Sequence, residues 1–369
     1  MENVRNINIL RNVSVPDLSA IQLEMFNEKS LLARRTGKLE PMHAMRVLNE
    51  MKGRKTLVAD IGGTAAKTNI AVVGDNGQIL IDESQESMVE NPDKQGNQYL
   101  DFLTQAGKKY PNLPVAVSSG GVVEDNNLIT NANFPFFVDQ LKQAGGFTSV
   151  FNQPEVPLMN DAQAGVIAGG VGIAQRDGKA KPVIYIINGG GIGGAFMDRD
   201  GNITSMEPGH IEVVDKSLNP NGVQTPCELF PDWKHVCLER IGASGAGIEA
   251  QWEALTGEKL PGKDIAEKMY MGDERAKQLY VSSALIVAHI IEGIRNTMNC
   301  QIEDVSIVLH GGAFKTEGMV DLIERILKKH HQVENVDLVP TSKLGYSNAC
   351  MTGLAISALV NQAELNQVK

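Results

Sequence analysis

Residues 57–80 read LVADIGGTAAKTNIAVVGDNGQIL, and residues 182–205 read PVIYIINGGGIGGAFMDRDGNITS. In the first stretch an apolar run ends at Gly62-Gly63-Thr64, a second run covers Thr68 to Val73, and Asp75-Asn76-Gly77 turns the chain into a third. The second stretch repeats that order. An apolar run reaches Gly189-Gly190-Gly191, a strand follows at Ala195 to Met197, and Asp198-Arg199-Asp200-Gly201 turns into a third. Short β-branched runs bounded by glycine and D-x-G turns are strands joined by hairpins. The same succession twice in one chain implies a duplicated α/β fold, and two similar domains facing each other enclose a cleft, where small ligands bind.

Upstream of the first copy, Pro16-Asp17 opens a helical pattern with Leu18, Ile21, Met25 and Leu32 on one face. A second helix is expected from Pro41, with Met45, Leu48 and Met51 at helical spacing, because proline suits a first helical turn. Thr36-Gly37-Lys38 reads as a break between the two helices. Residues 1–55 are therefore expected to form a helical extension ending at Gly53-Arg54-Lys55. They carry ten Lys/Arg against six Asp/Glu, a balance of +4, so the rest of the chain carries −14 for an overall −10. So acidic a body is a poor match for nucleic-acid phosphates, which call for a basic surface. The local basic excess reads as solvated helix faces, and the apolar stripes as surfaces buried against the body or a second subunit.

At 369 residues and 42% hydrophobic, the chain has enough apolar material for the cores of two domains. No apolar run reaches the roughly 18 residues of a membrane span, and Met1 to Arg11 is too polar for a signal peptide, so a cytoplasmic protein is expected. Cys227, Cys237, Cys300 and Cys350 have no framework spacing, which suits a reducing compartment. Gly189, Gly191 and Gly194 satisfy G-x-G-x-x-G, but a dinucleotide fold places a helix directly after those glycines. Here the following segment reads as a hairpin. The glycines are assigned instead to a phosphate-holding turn, in which closely spaced N–H groups without Cβ atoms form an anion nest.

Six motifs then fall in one order: Asp60-Ile61-Gly62-Gly63-Thr64, Asn160-Asp161-Ala162, Asn188-Gly189-Gly190-Gly191-Ile192-Gly193-Gly194, Glu207-Pro208-Gly209-His210, Cys237-Leu238-Glu239 with Ala243-Ser244-Gly245, and Leu309-His310-Gly311-Gly312. In these the chain resembles, over about residues 56–360, the ROK family of sugar kinases and repressors within the hexokinase/actin superfamily. The resemblance implies two actin-like ATPase (ribonuclease H-like) α/β domains around a cleft. A small domain is expected over 56–165, a large one over 166–348, and a C-terminal helix over 349–369 returning to the small domain. It also implies ATP and Mg²⁺ as cofactors, a hexose or N-acetylhexosamine as substrate, with glucose the type case, and a homodimer.

Carried onto this chain, the family's phosphate and nucleotide motifs fall on Asp60, Gly62, Gly63, Thr64, Gly189, Gly190, Gly191, Gly193, Gly311 and Gly312. Its sugar-binding positions fall on Asn133, Asn160, Asp161, Glu207, His210 and Glu239, and its catalytic base on Asp161. These residue types fit the chemistry. Phosphoryl transfer asks for positioning and charge neutralisation. Glycines let the backbone approach phosphates, Asp60 suits a water-bridged Mg²⁺, and a carboxylate accepts the proton of an attacking hydroxyl. Amide, carboxylate and imidazole groups match the paired donors and acceptors of a polyol.

The chain also departs from the family pattern. Gly190 stands where a threonine hydroxyl is usual, and Gly120 where a proline is usual. The segment that normally supplies one His and three clustered cysteines to structural zinc offers His210 and Cys237, with Cys227 and His235 as further donor types. No metal is expected at that segment. Two other function classes remain beside the kinase: a sugar-responsive transcriptional regulator using the basic extension, and a sugar-binding protein of little activity. The intact Asp161, and the lack of a third helix in the extension, favour the enzyme.

Overall fold

The structure, a computed structural model, describes residues 6–18, 31–62, 65–90, 97–124, 126–130, 135–213, 219, 221–225, 227 and 236–367. The chain opens with β1 (Arg34–Lys38), α1 (Pro41–Glu50), β2 (Lys55–Ile61), β3 (Ala65–Val73), β4 (Ile79–Glu90) and α2 (Asn97–Lys109). It continues through β5 (Val115–Ser119), β6 (Val122–Glu124), β7 (Asn127–Thr130), α3 (Pro135–Gln143), α4 (Gly146–Phe151), β8 (Leu158–Met159) and α5 (Asp161–Asp177). The second copy begins with β9 (Val183–Asn188), β10 (Ile192–Met197) and β11 (Asn202–Met206), followed by α6 (Gly245–Thr256), α7 (Gly262–Tyr270) and α8 (Glu274–Thr297). Last come β12 (Ser306–His310), α9 (Met319–His331), β13 (Asp337–Pro340) and α10 (Ala349–Gln367).

The internal repeat is visible in the sheets. One has the order β4-β3-β2-β5-β8 and the other β1-β11-β10-β9-β12-β13. Without β1, each reads third, second, first, fourth and fifth strand of its own copy. The first copy pairs β2 antiparallel with β3 and parallel with β5, and β5 parallel with β8. In the second, β12 lies parallel to both β9 and β13. Parallel neighbours end at the same edge, so Asp60, Ser118 and Met159 lie at the carboxyl edge of one sheet, and Asn188 and His310 at that of the other. In open α/β sheets this edge is where ligands bind.

By packing, the chain divides into two units. The first comprises 1–34, 182–196 and 206–340, and the second 35–181, 197–205 and 341–369. The first is built around one apolar cluster in which α8 is buried along most of its length, with Leu10, Leu18 and Leu31 of the N-terminal segment inside it. The second holds a smaller cluster under β2, β3 and β5, where Tyr99 meets Phe137 edge-on and Phe147 stacks on Phe151. Here β2 reads Thr-Leu-Val-Ala-Asp-Ile with positions 56 to 59 and 61 buried, as a strand covered on both faces requires.

Helix α5 stays with the first copy because it packs on α10. They approach so closely that a Cβ on Gly353 would stand 1.7 Å from the carbonyl oxygen of Ala164. Asn160 caps α5, its Oδ1 accepting the N–H of Ala162 at 2.8 Å, and the Ala/Gly-rich sequence from 162 to 174 is buried on all sides. Two of the unit boundaries accordingly fall at 181/182 and 340/341.

The extension differs from its sequence expectation in three places. Thr36-Gly37-Lys38 is no break: it completes β1, where Thr36 Oγ1 lies 3.2 Å from Ser205 Oγ. Leu32 sits in a turn with a left-handed backbone, φ 51°, and Ile21 and Met25 lie outside the described residues. The helix starting at Pro41 is present, but Pro41, Ala44, Val47 and Leu48 form its buried face, one residue round from the expected stripe. No helix among the described residues is long and apolar enough to cross a membrane.

Candidate active site

In the second unit, Asp60 is the penultimate residue of β2. It faces Lys67 of β3 and Ser118 of β5 in register, so the three side chains share one face of the sheet. Ser118 Oγ donates to Asp60 Oδ1 at 2.5 Å, and Cys350 Sγ, from the first turn of α10, lies 3.8 Å from the same oxygen and 3.1 Å from Ser118 Oγ. Burial pushes the Asp60 carboxyl up, while those hydrogen bonds and the charge of Lys67 pull it down. The backbone N–H of Gly62 donates to Ala65 O at 2.9 Å, which closes the turn between β2 and β3. The hydroxyl of Tyr99 reaches Gly62 O from α2 at 3.3 Å. Gly63 and Thr64 lie outside the described residues, as does Asn133.

Asp161 is the first residue of α5, where a negative charge meets the positive end of the helix. Its Oδ1 accepts the N–H of Ala162 at 2.7 Å. Burial, then the charge of Asp60, push its carboxyl up to about 6 against the pull of that hydrogen bond. A carboxyl poised there is ionised at neutral pH yet basic enough to take a hydroxyl proton. Asn160, expected to touch sugar, is already engaged on both amide atoms, since Nδ2 donates to Gly121 O at 3.0 Å while Oδ1 caps α5. One lone pair and one N–H remain for a ligand.

In the first unit the chain leaves β9 at Asn188, whose Nδ2 donates to Ala243 O at 2.7 Å. The segment Gly189-Gly190-Gly191 follows. Gly189 donates to Gly191 O at 2.9 Å and its own carbonyl accepts the N–H of Gly245 at 2.8 Å. The segment after it is strand β10, which excludes the dinucleotide arrangement, and Gly193 lies within that strand. Gly311 presses on the start of this turn with φ +116°, and a Cβ there would stand 2.1 Å from Asn188 O, so only glycine fits. Gly312 follows it and opens the short 3₁₀ turn Ala313–Lys315.

The expected sugar residues Glu207, His210 and Glu239 also lie in this unit. A 3₁₀ turn carries Pro208–His210, with the N–H of His210 donating to Glu207 O at 3.1 Å. Glu239 is buried beside the glycine turn: its Oε2 accepts the N–H of Ile192 at 3.4 Å, and its Oε1 lies 3.7 Å from both His210 Nδ1 and Arg240 Nε. Burial alone would lower the imidazole of His210, but Cys227 and the carboxylates of Glu239 and Glu207 raise it to about 9.

The ligand atoms of His210, Cys227 and Cys237 all lie within 4.8 Å of one another, with His210 Nδ1 3.2 Å from Cys227 Sγ. Both cysteines are buried. One imidazole and two thiols at that spacing fit three corners of a tetrahedral zinc site. The sequence offered these three donors, but without the clustered cysteines of the family pattern no metal was expected, and only the fold brings them this close. His235 lies outside the described residues. A second group, Glu292, His330 and His331, has the same closeness, but the guanidinium of Arg295 takes both Glu292 oxygens at 3.0–3.2 Å. That group is a polar clamp between α8 and α9, with His331 Nε2 2.7 Å from Glu292 Oε1.

Sequence reasoning did not single out Tyr99, Cys350 or Ser118 as site residues, and from the stretch around Ser118 it noted only Gly120. For Ser118 a signal existed, a polar residue ending an apolar strand. For Cys350, 290 residues from Asp60, there was none.

The model of the ROK family matches residues 56–361. The N-acetylmannosamine kinase of Escherichia coli (strain K12) is 29% identical over 297 residues, covering 77% of this chain and 92% of that protein. Among solved structures, the ROK hexokinase from Thermus thermophilus superposes with a TM-score of 0.60 at 18% identity, over 84% of this chain and 99% of that one. The ROK family glucokinase from Streptomyces griseus, in complex with glucose and AMPPNP, gives 0.57 at 20% identity, over 82% and 98%. The duplicated sheets are thus those of the actin-like ATPase fold, and the chain belongs to the ROK family.

Proposed function

We propose that this protein is an ATP-dependent sugar kinase in which Asp161 takes the proton of the attacking sugar hydroxyl. The observation that carries the reading is Asp161 itself, fixed at the first residue of a capped helix with its carboxyl raised to about 6 by burial and by Asp60. Asp60 is the carboxylate suited to magnesium, and the glycine turns at 62 and 189–191 suit nucleotide phosphates. Magnesium and ATP, when bound, supply charge neutralisation and the transferred phosphoryl group. Glu207, His210 and Glu239 supply the hydrogen-bonding groups for the sugar.

For the sugar we propose N-acetylmannosamine before glucose, because the curated relatives at 28–29% identity carry that name. His210, Cys227 and Cys237 would hold a structural zinc beside the sugar-binding residues. The regulator reading loses ground at the extension. Leu10, Leu18 and Leu31 are buried in the core, and Arg11 is paired with Glu317 and Asp321. The test is ADP release measured with a coupled assay over N-acetylmannosamine, N-acetylglucosamine, mannose and glucose. Turnover on N-acetylmannosamine with the highest kcat/KM supports the reading. Glucose as the best substrate corrects the sugar, and no sugar-dependent ADP release removes the kinase.

A further inference from the structure

We propose that Ser118 and Cys350 are positioning residues for Asp60, forming a buried hydrogen-bond relay from α10 through β5 that fixes one carboxylate oxygen and leaves the other for a magnesium ion or its waters. The inference deepens the kinase reading and rests on it for the role of Asp60. The geometry has three parts.

Ser118 is the in-register neighbour of Asp60 across parallel strands, so its hydroxyl is presented to the carboxylate by the sheet itself. Successive strand residues point to opposite faces, and the next one, Ser119, turns its hydroxyl to Gly120 O at 3.0 Å. The Cys350 thiol lies 3.1 Å from Ser118 Oγ and donates to it, which directs the serine O–H at Asp60 Oδ1, 2.5 Å away. Donors linked in this way strengthen one another where water is excluded, and Ser118 and Cys350 are both buried.

The thiol in turn is fixed by its helix. Asn348 accepts the N–H of Met351 at 3.1 Å on its side chain and the hydroxyl of Thr352 at 2.8 Å on its carbonyl, so the first turn of α10 is held on both sides of Cys350. Lys67 flanks Asp60 from β3. Among the described residues Asp60 Oδ2 has no hydrogen-bond partner, so the relay occupies one oxygen and spares the other.

Calorimetric binding of AMPPNP with and without magnesium tests this on the full chain. Ser118→Ala should weaken magnesium-AMPPNP about tenfold to a hundredfold, the usual scale for losing a group that orients a metal-binding carboxylate. AMPPNP without magnesium should change less than about twofold. Ser118→Thr and Cys350→Ser, which keep a hydroxyl donor, should stay within a few-fold of wild type, and Cys350→Ala should follow Ser118→Ala in direction. If Ser118→Ala does not fold, the Cys350 pair carries the test. Unchanged magnesium-AMPPNP affinity in Ser118→Ala or in Cys350→Ala overturns the relay, as does equal weakening with and without magnesium, or a wild type that binds no magnesium-AMPPNP. A wild type that binds magnesium-AMPPNP but phosphorylates no sugar would sink the kinase reading and leave this test standing.

Discussion

The carboxyl of Asp161 is pushed up to about 6 by its own burial and by the charge of Asp60. The base must be ionised to accept a proton, so kcat/KM should fall as pH drops through about 6, approaching roughly tenfold per pH unit below it. A profile that is flat down to about pH 4.5 would mean that Asp161 does not titrate in the mechanism.

Replacing that carboxyl separates chemistry from stability. Asp161→Asn should lower kcat by at least about a hundredfold with little change in sugar affinity. It should also melt higher than wild type at pH 8. The folded carboxyl ionises later than the unfolded one, so between the ordinary value of 3.8 and about 6 the folded state holds more protons, and stability falls as pH rises. Differential scanning calorimetry should show the gap in Tm closing by about pH 4. Turnover within a few-fold of wild type would take Asp161 out of catalysis.

The donors His210, Cys227 and Cys237 should hold about one zinc per chain, measured by mass spectrometry of the metal. Cys227→Ala and Cys237→Ala should lose it and melt lower, because structural zinc contributes folding free energy directly. Protein that carries no zinc, and whose Tm ignores a chelator, would show that the three donors are only packed together.

Gly353 is where α10 crosses α5. A methyl at 1.7 Å from Ala164 O cannot be accommodated without moving a helix, so Gly353→Ala should destabilise by about 3 kcal/mol or more. Urea unfolding gives the number, and a loss below about 0.5 kcal/mol would contradict the close crossing.

Removing residues 1–52 should lower Tm, since Leu10, Leu18 and Leu31 belong to the core of one unit and Ala44, Val47 and Leu48 are buried in the other. Leu31→Ala alone should cost about 2–5 kcal/mol, the range for emptying a fully buried leucine site. Salt-sensitive, sequence-selective retention of DNA by the full chain, abolished by the deletion, would restore the regulator reading.

The repeat at 57–80 and 182–205 already announced both sheets, because apolar runs broken by glycine and D-x-G turns can form little else. The order of motifs named the family, and Asn160-Asp161 before an Ala/Gly-rich helix marked the position of Asp161. These are local signals, written in neighbouring residues. The extension was misread where local pattern competes with packing: Thr36-Gly37-Lys38 looks like a break, yet the edge of the second sheet draws it into β1. Three further features belong to the tertiary structure alone. The shift of Asp161 needs its burial and the charge of Asp60, about a hundred residues earlier, and the zinc-type cluster needs residues 210, 227 and 237 folded to within 4.8 Å of one another. The relay at Asp60 needs Ser118 from β5 and Cys350 from α10. Distance along the chain carries no information about distance through space, and hydrogen bonding, charge coupling and metal ligation depend only on the latter.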